Sequence, residues 1–272
     1  MMIQLLLSPN LRTLSMKLAN LLQELVTRFG SLFLDFPREM SGLINDLAVE
    51  NISYDELLDE VRRRRLIPEP VASFDYAAKP VLSALTKIRS INPGLKILCY
   101  GSSKNEFASI NNAVELARLT LRTSMTGRVD VKDWRRILDL SLDLDYKAFE
   151  EEASVLRDNI DENSICVSDM GGRGLKKPLT IAGYDVRIRY VEVPYHFTPL
   201  MILLRVMSRR AVSEEEIEEQ VRNHVDYVRS YIYRYESRDR AYYEWAYENV
   251  PWIRSRISKE EIEMLDSIIL NT

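Results

Sequence analysis

Two apolar runs of strand length, with one amphipathic helix between them, constrain the chain before anything else does. Met2–Leu7 is continuously apolar apart from Gln4, and Ser8-Pro9-Asn10 ends it. Residues 31–36, Ser-Leu-Phe-Leu-Asp-Phe, form a second run that Pro37 stops. Between them Leu14, Leu18, Leu21, Leu22, Leu25 and Val26 fall on one helical face, and Gly30 closes the helix. Strands buried on both faces read this way because helices cover a parallel sheet on both sides. A strand–helix–strand unit within about 35 residues is the right-handed crossover of such a sheet.

The pattern repeats. A third run covers 95–100, a fourth is centred on Ile165, Cys166 and Val167, and a fifth spans 184–193. The fifth alternates, with Val186, Ile188 and Tyr190 on one side and Arg187 and Arg189 on the other, as an edge strand does. Helices are expected at 38–49, 53–66, 80–91 and 105–124 and throughout 129–162, with Asn10 or Ser8 capping the first helix. Residues 68–78 read as a loop. Ser53-Tyr-Asp-Glu56 and Ser213-Glu-Glu-Glu216 are capping boxes. From Thr198 onward the chain reads as helical. The expected fold is α/β: a mostly parallel sheet of about five strands flanked by helices in a core domain at 1–197, then an all-helical C-terminal extension at 198–272.

Composition narrows the function classes. The 272 residues carry 37 basic and 41 acidic side chains, a formal charge of −4 that does not favour non-specific nucleic-acid binding. Cys99 and Cys166 both sit in strand runs and suit small buried hydrophobes rather than a disulfide framework. With two cysteines and two histidines, His196 and His224, a zinc site built on several such ligands is excluded. A carboxylate-rich magnesium or manganese site stays open. The opening apolar run ends too early for a signal core or a membrane span, so a cytoplasmic protein is expected. Few glycines and many charged residues at helical spacing match a composition common in thermophile proteins.

Ligands of parallel α/β sheets bind beyond the carboxyl ends of the strands. The residues there are Arg12, Asp35, Arg38, Asp169, Gly171, Gly172, Arg173, Gly174, Glu192 and His196. The Gly171-Gly-Arg-Gly174 turn offers backbone N–H groups and a helix start, as phosphate cradles do, but has the spacing of neither nucleotide fingerprint. Asp35, Asp169 and Glu192 are candidate metal-binding or catalytic acids, and His196 a candidate base. Arg12, Arg38, Arg173 and the three glycines are candidate ligand-binding residues. No Gly-x-Ser-x-Gly elbow is present. Arg62–Arg65 ends a helix beside Asp59 and Glu60, where it suits a solvated face better than a nucleic-acid patch. The helices over 227–247, dense in Tyr, Trp and Arg, suit a protein partner or self-association ahead of single-stranded nucleic acid, because interleaved acids neutralise them.

The order of parts resembles the superfamily of TraB/PrgY, Tiki and ChaN-type proteins and erythromycin esterases. The carrying stretches are Leu5-Leu-Leu-Ser-Pro-Asn-Leu-Arg12, Leu32-Phe-Leu-Asp35-Phe-Pro-Arg-Glu39, Ile165-Cys-Val-Ser-Asp-Met-Gly-Gly-Arg-Gly-Leu175 and Gly183-Tyr-Asp-Val-Arg-Ile188. The resemblance implies an α/β core and hydrolytic ancestry. Active members carry histidine near the first strand and in the late glycine turn, whereas residues 8–12 and 169–174 here contain none. What the resemblance then implies is a divergent member that keeps the acid, as Asp35, with its hydrolytic chemistry lost or rebuilt. A non-hydrolytic binding or assembly protein is the leading expectation, with a metal-assisted or His196-dependent hydrolase as the alternative and nucleic-acid binding third.

Overall fold

The structure is a computed structural model that describes residues 1–192 and 195–270. Five strands, β1 (Met2–Leu7), β2 (Ser31–Pro37), β3 (Lys96–Gly101), β4 (Ser164–Ser168) and β5 (Asp185–Tyr190), form one all-parallel sheet in the order β3-β2-β4-β1-β5. The fifth strand is an edge, as its alternation predicts. Val193, the last residue of that predicted run, lies outside the described residues. The early helices are α1 (Arg12–Leu25), α2 (Ser41–Ala48), α3 (Tyr54–Arg63), α4 (Val71–Ser83) and α5 (Leu85–Ile91). Next come α6 (Ser103–Thr126), α7 (Val131–Asn159) and α8 (Lys176–Ile181). The C-terminal helices are α9 (Pro199–Met207), α10 (Glu214–Tyr227), α11 (Arg238–Asn249), α12 (Pro251–Arg254) and α13 (Lys259–Leu270).

The chain separates into two compact units. The first is Met1–Ala108 with Asp145–Val193 and holds the whole sheet; the second is Ser109–Leu144 with Pro194–Thr272 and is helical. The division falls inside α6 and α7, so the second unit takes the middle of the chain as well as its C-terminal third.

In the first unit, alternate strand residues sort to opposite faces of the sheet. Leu6, Leu32, Leu34, Ile97, Cys99, Ile165 and Val167 pack into a single core with α1 to α5. Leu5, Leu7, Phe33, Tyr100 and Cys166 are also buried and turn the other way. Crossovers β1 to β2 and β2 to β3 run in one direction along the sheet, while β3 to β4 and β4 to β5 run back. Right-handed connections then put α1 to α5 on one face and α8, with the first-unit parts of α6 and α7, on the other. The carboxyl ends of β2 and β4 are therefore adjacent strand ends whose chains leave for opposite faces.

Both capping boxes form, with Ser53 and Ser213 each accepting from the N3 backbone N–H while Glu56 and Glu216 reach back. The expected cap of α1 does not form: Leu11 is the N-cap residue and no side chain bonds there. Ser8 belongs to the sheet end, its N–H donating to the Ser168 carbonyl at 3.0 Å, and the Leu11 N–H is taken by the Pro9 carbonyl at 2.8 Å. The expected loop at 68–78 is corrected too, because α4 starts at Val71 directly after Pro70 and carries Pro80 inside it. Val71, Ala78, Val81 and Leu82 supply its buried stripe. The stretch expected to be helical throughout 129–162 contains one unbroken helix over Val131–Asn159.

The second unit has its own core. Leu119, Trp134, Ile137 and Leu138 from α6 and α7 pack with Leu203, Val212, Ile217, Val221 and Val225. The Trp134 indole is fully buried and its Nε1 donates to Thr123 Oγ1 at 3.2 Å. Of the aromatics over 227–247, Tyr227, Tyr242 and Trp245 are buried, Tyr231, Tyr235, Tyr243 and Tyr247 are half-buried, and Tyr233 is 72% exposed. Among the described residues no helix is long and apolar enough to cross a membrane.

Candidate functional site

The crevice between the carboxyl ends of β2 and β4 is the site to which the topology points, since ligands of open parallel sheets bind where neighbouring connections diverge. Register places Phe33 opposite Cys166. Two residues further along each strand come Asp35 and Ser168, on the face turned away from the α1–α5 core. Ser168 Oγ donates to Asp35 Oδ2 at 3.0 Å. Behind this pair the buried Tyr100 hydroxyl donates to the Val167 carbonyl at 2.7 Å, tying β3 to β4 across β2.

Asp169 follows immediately. Its Oδ1 accepts from the backbone N–H groups of Gly171 at 2.7 Å and Gly172 at 3.2 Å. Two N–H groups of the glycine turn are thus engaged by the turn's own acid, an Asx-type arrangement, rather than aimed at an external anion. The turn is glycine-rich for a packing reason. A Cβ on Gly172 would lie 2.0 Å from Ser168 Oγ, and one on Gly174 would lie 2.4 Å from the Phe149 ring.

Three further acids act on the crevice: Glu106 from the first turn of α6, and Asp145 and Glu152 from the first-unit part of α7. Burial pushes the Asp35 carboxyl up, and the charges of Asp169 and Glu106 push it further, against hydrogen bonds from Ser168 and the Asp169 backbone. Glu152 is raised by burial first, then by Asp35, Asp169 and Glu106. Asp35 and Glu152 titrate as interacting groups, pushed up to about 7 and about 9. Burial and then Asp169 raise Asp145 to about 6, and Glu106 moves the same way for the same causes. Asp169 is itself raised by desolvation, with its two glycine hydrogen bonds opposing. Protein atoms crowd these groups while Asp169, Glu106 and Asp145 keep solvent access, so the crevice is open at its rim. No lysine or arginine contributes to the shifts of Glu106, Asp145 or Asp169. The arrangement is a set of carboxyl groups whose ionised forms are disfavoured, first by burial and then by one another. It suits holding protons or a cation.

The other residues singled out from the sequence have local partners. Arg12 is buried against α4, its Nη1 donating to the Tyr76 carbonyl at 3.4 Å and its guanidinium lying 5.9 Å from the Tyr76 ring centroid. Arg38 pairs with Glu151 at 2.7 Å, Arg173 Nη1 donates to the Tyr190 hydroxyl at 3.1 Å, and Glu192 pairs with Lys17. Arg62, Arg63 and Arg64 pair with Asp59 or Glu60 on their own helix, and Arg62 also with Glu69. His196 belongs to the second unit, where its ring meets Trp245 and Trp252. Its backbone N–H donates to the Tyr242 hydroxyl, which donates to the His196 carbonyl, both at 3.0 Å. Burial lowers the His196 pKa. His224 is the more perturbed histidine, lowered to about 4 by burial beneath Trp134.

Of the predicted site residues, the structure brings Asp35, Asp169, Gly171 and Gly172 together. Glu106, Asp145, Glu152 and Ser168 were not predicted. Asp145, Phe149, Glu152 and Leu156 recur at helical spacing on α7, a periodicity that marks one face but not what it faces. Among the described residues no group of three or more His, Cys, Asp or Glu is arranged to hold a metal ion. Compared with protein-family models, with curated proteins and with solved structures, the chain gives no match.

Proposed function

We propose that the protein is a binding protein whose strand-end crevice in the first unit, floored by Asp35 and Ser168, takes a cationic ligand. What supports this reading is the gathering of Asp35, Glu106, Asp145, Glu152 and Asp169 at one switch point, each with its ionised form disfavoured. A bound cation would offset the cost of ionising these buried and mutually repelling groups. The carboxylates need not wrap an ion directly: a hydrated magnesium or manganese ion keeps several waters, and an organic polyamine presents its charge through N–H donors.

The test is a thermal-shift series with magnesium, manganese and spermidine on the intact chain and on Asp35→Asn. At least one cation is expected to raise Tm, more strongly at about pH 8 than at about pH 6 as more carboxylates ionise. The gain should shrink in the variant. The absence of a shift with all three cations at both pH values would rule the reading out.

A second reading is hydrolytic, and one observation favours it: Asp35, raised to about 7 and hydrogen-bonded to Ser168, is poised as a proton acceptor near neutral pH. It fits the acid that carries the TraB-like resemblance. Ester or peptide hydrolysis lost in Asp35→Asn would select it over simple binding.

A further inference from the structure

In the second unit's part of α6 a row of apolar side chains faces solvent. Ile110, Val114, Ala117, Leu121 and Met125 follow in steps of four, three, four and four residues along one side of the helix. Val114, Leu121 and Met125 are 45%, 51% and 77% exposed, Ala117 is exposed and Ile110 is half-buried. The opposite side, roughly 150° around the axis at 3.6 residues per turn, is buried and mostly polar: Asn112, Thr120 and Thr123 with Leu119. Those polar side chains bond inside the chain. Asn112 Nδ2 donates to Ser141 Oγ at 2.6 Å, Thr120 Oγ1 donates to the Leu116 carbonyl at 2.8 Å, and Thr123 Oγ1 accepts from Trp134. A surface helix that serves only its own core turns its apolar stripe inward. Here a second stripe turns outward, as at a surface that another molecule covers.

The spacing of the row points to a helix as the occupant, because steps of three and four form the seam that a second helix fills with knobs in holes. The row is also complementary to itself. With two copies antiparallel about a two-fold axis between residues 115 and 116, Ile110 meets Leu121 of the second copy and Val114 meets its Ala117. Bulky side chains then pair at the ends, and Val fills the space beside Ala at the centre. A parallel pair would set Ala117 on Ala117 and leave a void. Charge agrees with this pairing. No residue of the row is charged, and on its flank Arg118 and Arg122 pair with Glu115 and Asp133 of their own chain. Antiparallel packing brings Arg118 beside Asn111 of the second copy, an amide with no hydrogen bond among the described residues. No like charges are set against one another.

We infer that the protein self-associates through the outer face of α6, two copies of the chain forming an antiparallel helix seam. This surface is distinct from the Tyr- and Trp-rich helices over 227–247, where Tyr227, Tyr242 and Trp245 are buried. The seam from Ile110 to Met125 is about 22 Å long. That length gives a small interface and a dimer Kd on the order of 10 µM.

The experiment is sedimentation velocity on the intact chain between about 1 and about 300 µM, a range that brackets this Kd. A monomer–dimer equilibrium is expected. Leu121→Glu should weaken it about a hundredfold, because a symmetric interface meets the substitution twice. The position is an exposed one, and circular dichroism checks that the variant folds. Orientation is read by disulfide cross-linking under mild oxidation, with the native Cys99 and Cys166 buried. Ile110→Cys mixed with Leu121→Cys should cross-link. Ile110→Cys alone should not, since antiparallel packing sets its two copies roughly 16 Å apart along the seam. A chain that stays monomeric over the whole range overturns the inference, and so does a dimer that Leu121→Glu leaves intact. Cross-linking of Ile110→Cys to itself ahead of the mixture would overturn it as well.

Discussion

Ser168 Oγ and Asp35 Oδ2 lie 3.0 Å apart although 133 residues separate them in the chain. That bond joins the ends of two adjacent strands at the place where four other carboxylates act. The hydroxyl stabilises the charged form of Asp35 against burial and repulsion. Ser168→Ala is expected to raise the apparent pKa of Asp35 and to cost about 1 kcal/mol of stability above neutral pH, less below it where Asp35 is protonated. Carbon-detected NMR titration of the aspartate carboxyls, with urea denaturation at two pH values, measures both.

Stability is expected to fall as pH rises through the crevice's titration range. Asp35 and Glu152 have folded values of about 7 and about 9 against ordinary values of 3.8 and 4.5. Between those limits the folded state binds more protons than the unfolded one, so the contribution is complete below about pH 4 and is lost as pH rises through both folded values. Tm should therefore drop from about pH 6 to about pH 9, and Asp35→Asn with Glu152→Gln should flatten the drop. A wild-type Tm that rises across this window would contradict the charge arrangement described for the crevice.

His224 acts in the opposite direction. Its folded value is about 4 against an ordinary 6.5, because the imidazole is desolvated beneath Trp134. The unfolded chain takes up the proton first, so the stability that His224 contributes is present above about pH 6.5 and is lost as pH falls through about 4. His224→Gln should lessen the acid sensitivity of Tm between those values while the alkaline drop persists. Thermal melts over the acid range decide it.

Gly172→Ala and Gly174→Ala are expected to destabilise the first unit by about 1–3 kcal/mol each through overpacking. The added methyl meets Ser168 in one case and the Phe149 ring in the other. Phe149→Leu should partly rescue Gly174→Ala and leave Gly172→Ala unimproved. A double-mutant cycle by chemical denaturation reads the coupling.

Glu244 is 2% exposed and receives Lys259 from α13 and, more loosely, Arg240 at 3.7 Å. Arg240 also pairs with Asp266 of α13 at 2.8 Å. Glu244→Ala should loosen α13, at a cost of about 1–3 kcal/mol because both cations still reach water. Hydrogen exchange is expected to rise across 259–270 ahead of the rest of the second unit.

The sheet was legible because every interior strand of a parallel sheet is a local apolar run, and Arg187 and Arg189 marked the edge. Caps were legible where Ser and Glu stand three apart, and illegible at Ser8, whose N–H is taken by β4. Helix α4 was hidden by Pro70 and Pro80: the first reads as part of a loop and the second as a helix start, although one lies just outside the helix and the other near its end. Asp35 and Asp169 were visible as strand-end acids. Glu106, Asp145 and Glu152 were not, because nothing local on a charged helix says which of its acids faces a sheet. The glycine turn suggested an anion cradle; its N–H groups answer instead to Asp169, a partner two residues away.

Helices α6 and α7 each contribute to both compact units, and neither unit is one continuous stretch of chain. Residues 198–272 alone would lack Leu119, Trp134, Ile137 and Leu138, four of the nine buried residues in that cluster. A single proteolytic cut or gene truncation therefore cannot yield both halves intact. An engineer seeking the halves separately would have to bridge Ala108 to Asp145 in one and Leu144 to Pro194 in the other. In cloning terms, the helical unit is encoded in two parts that flank residues 145–193 rather than as one C-terminal block.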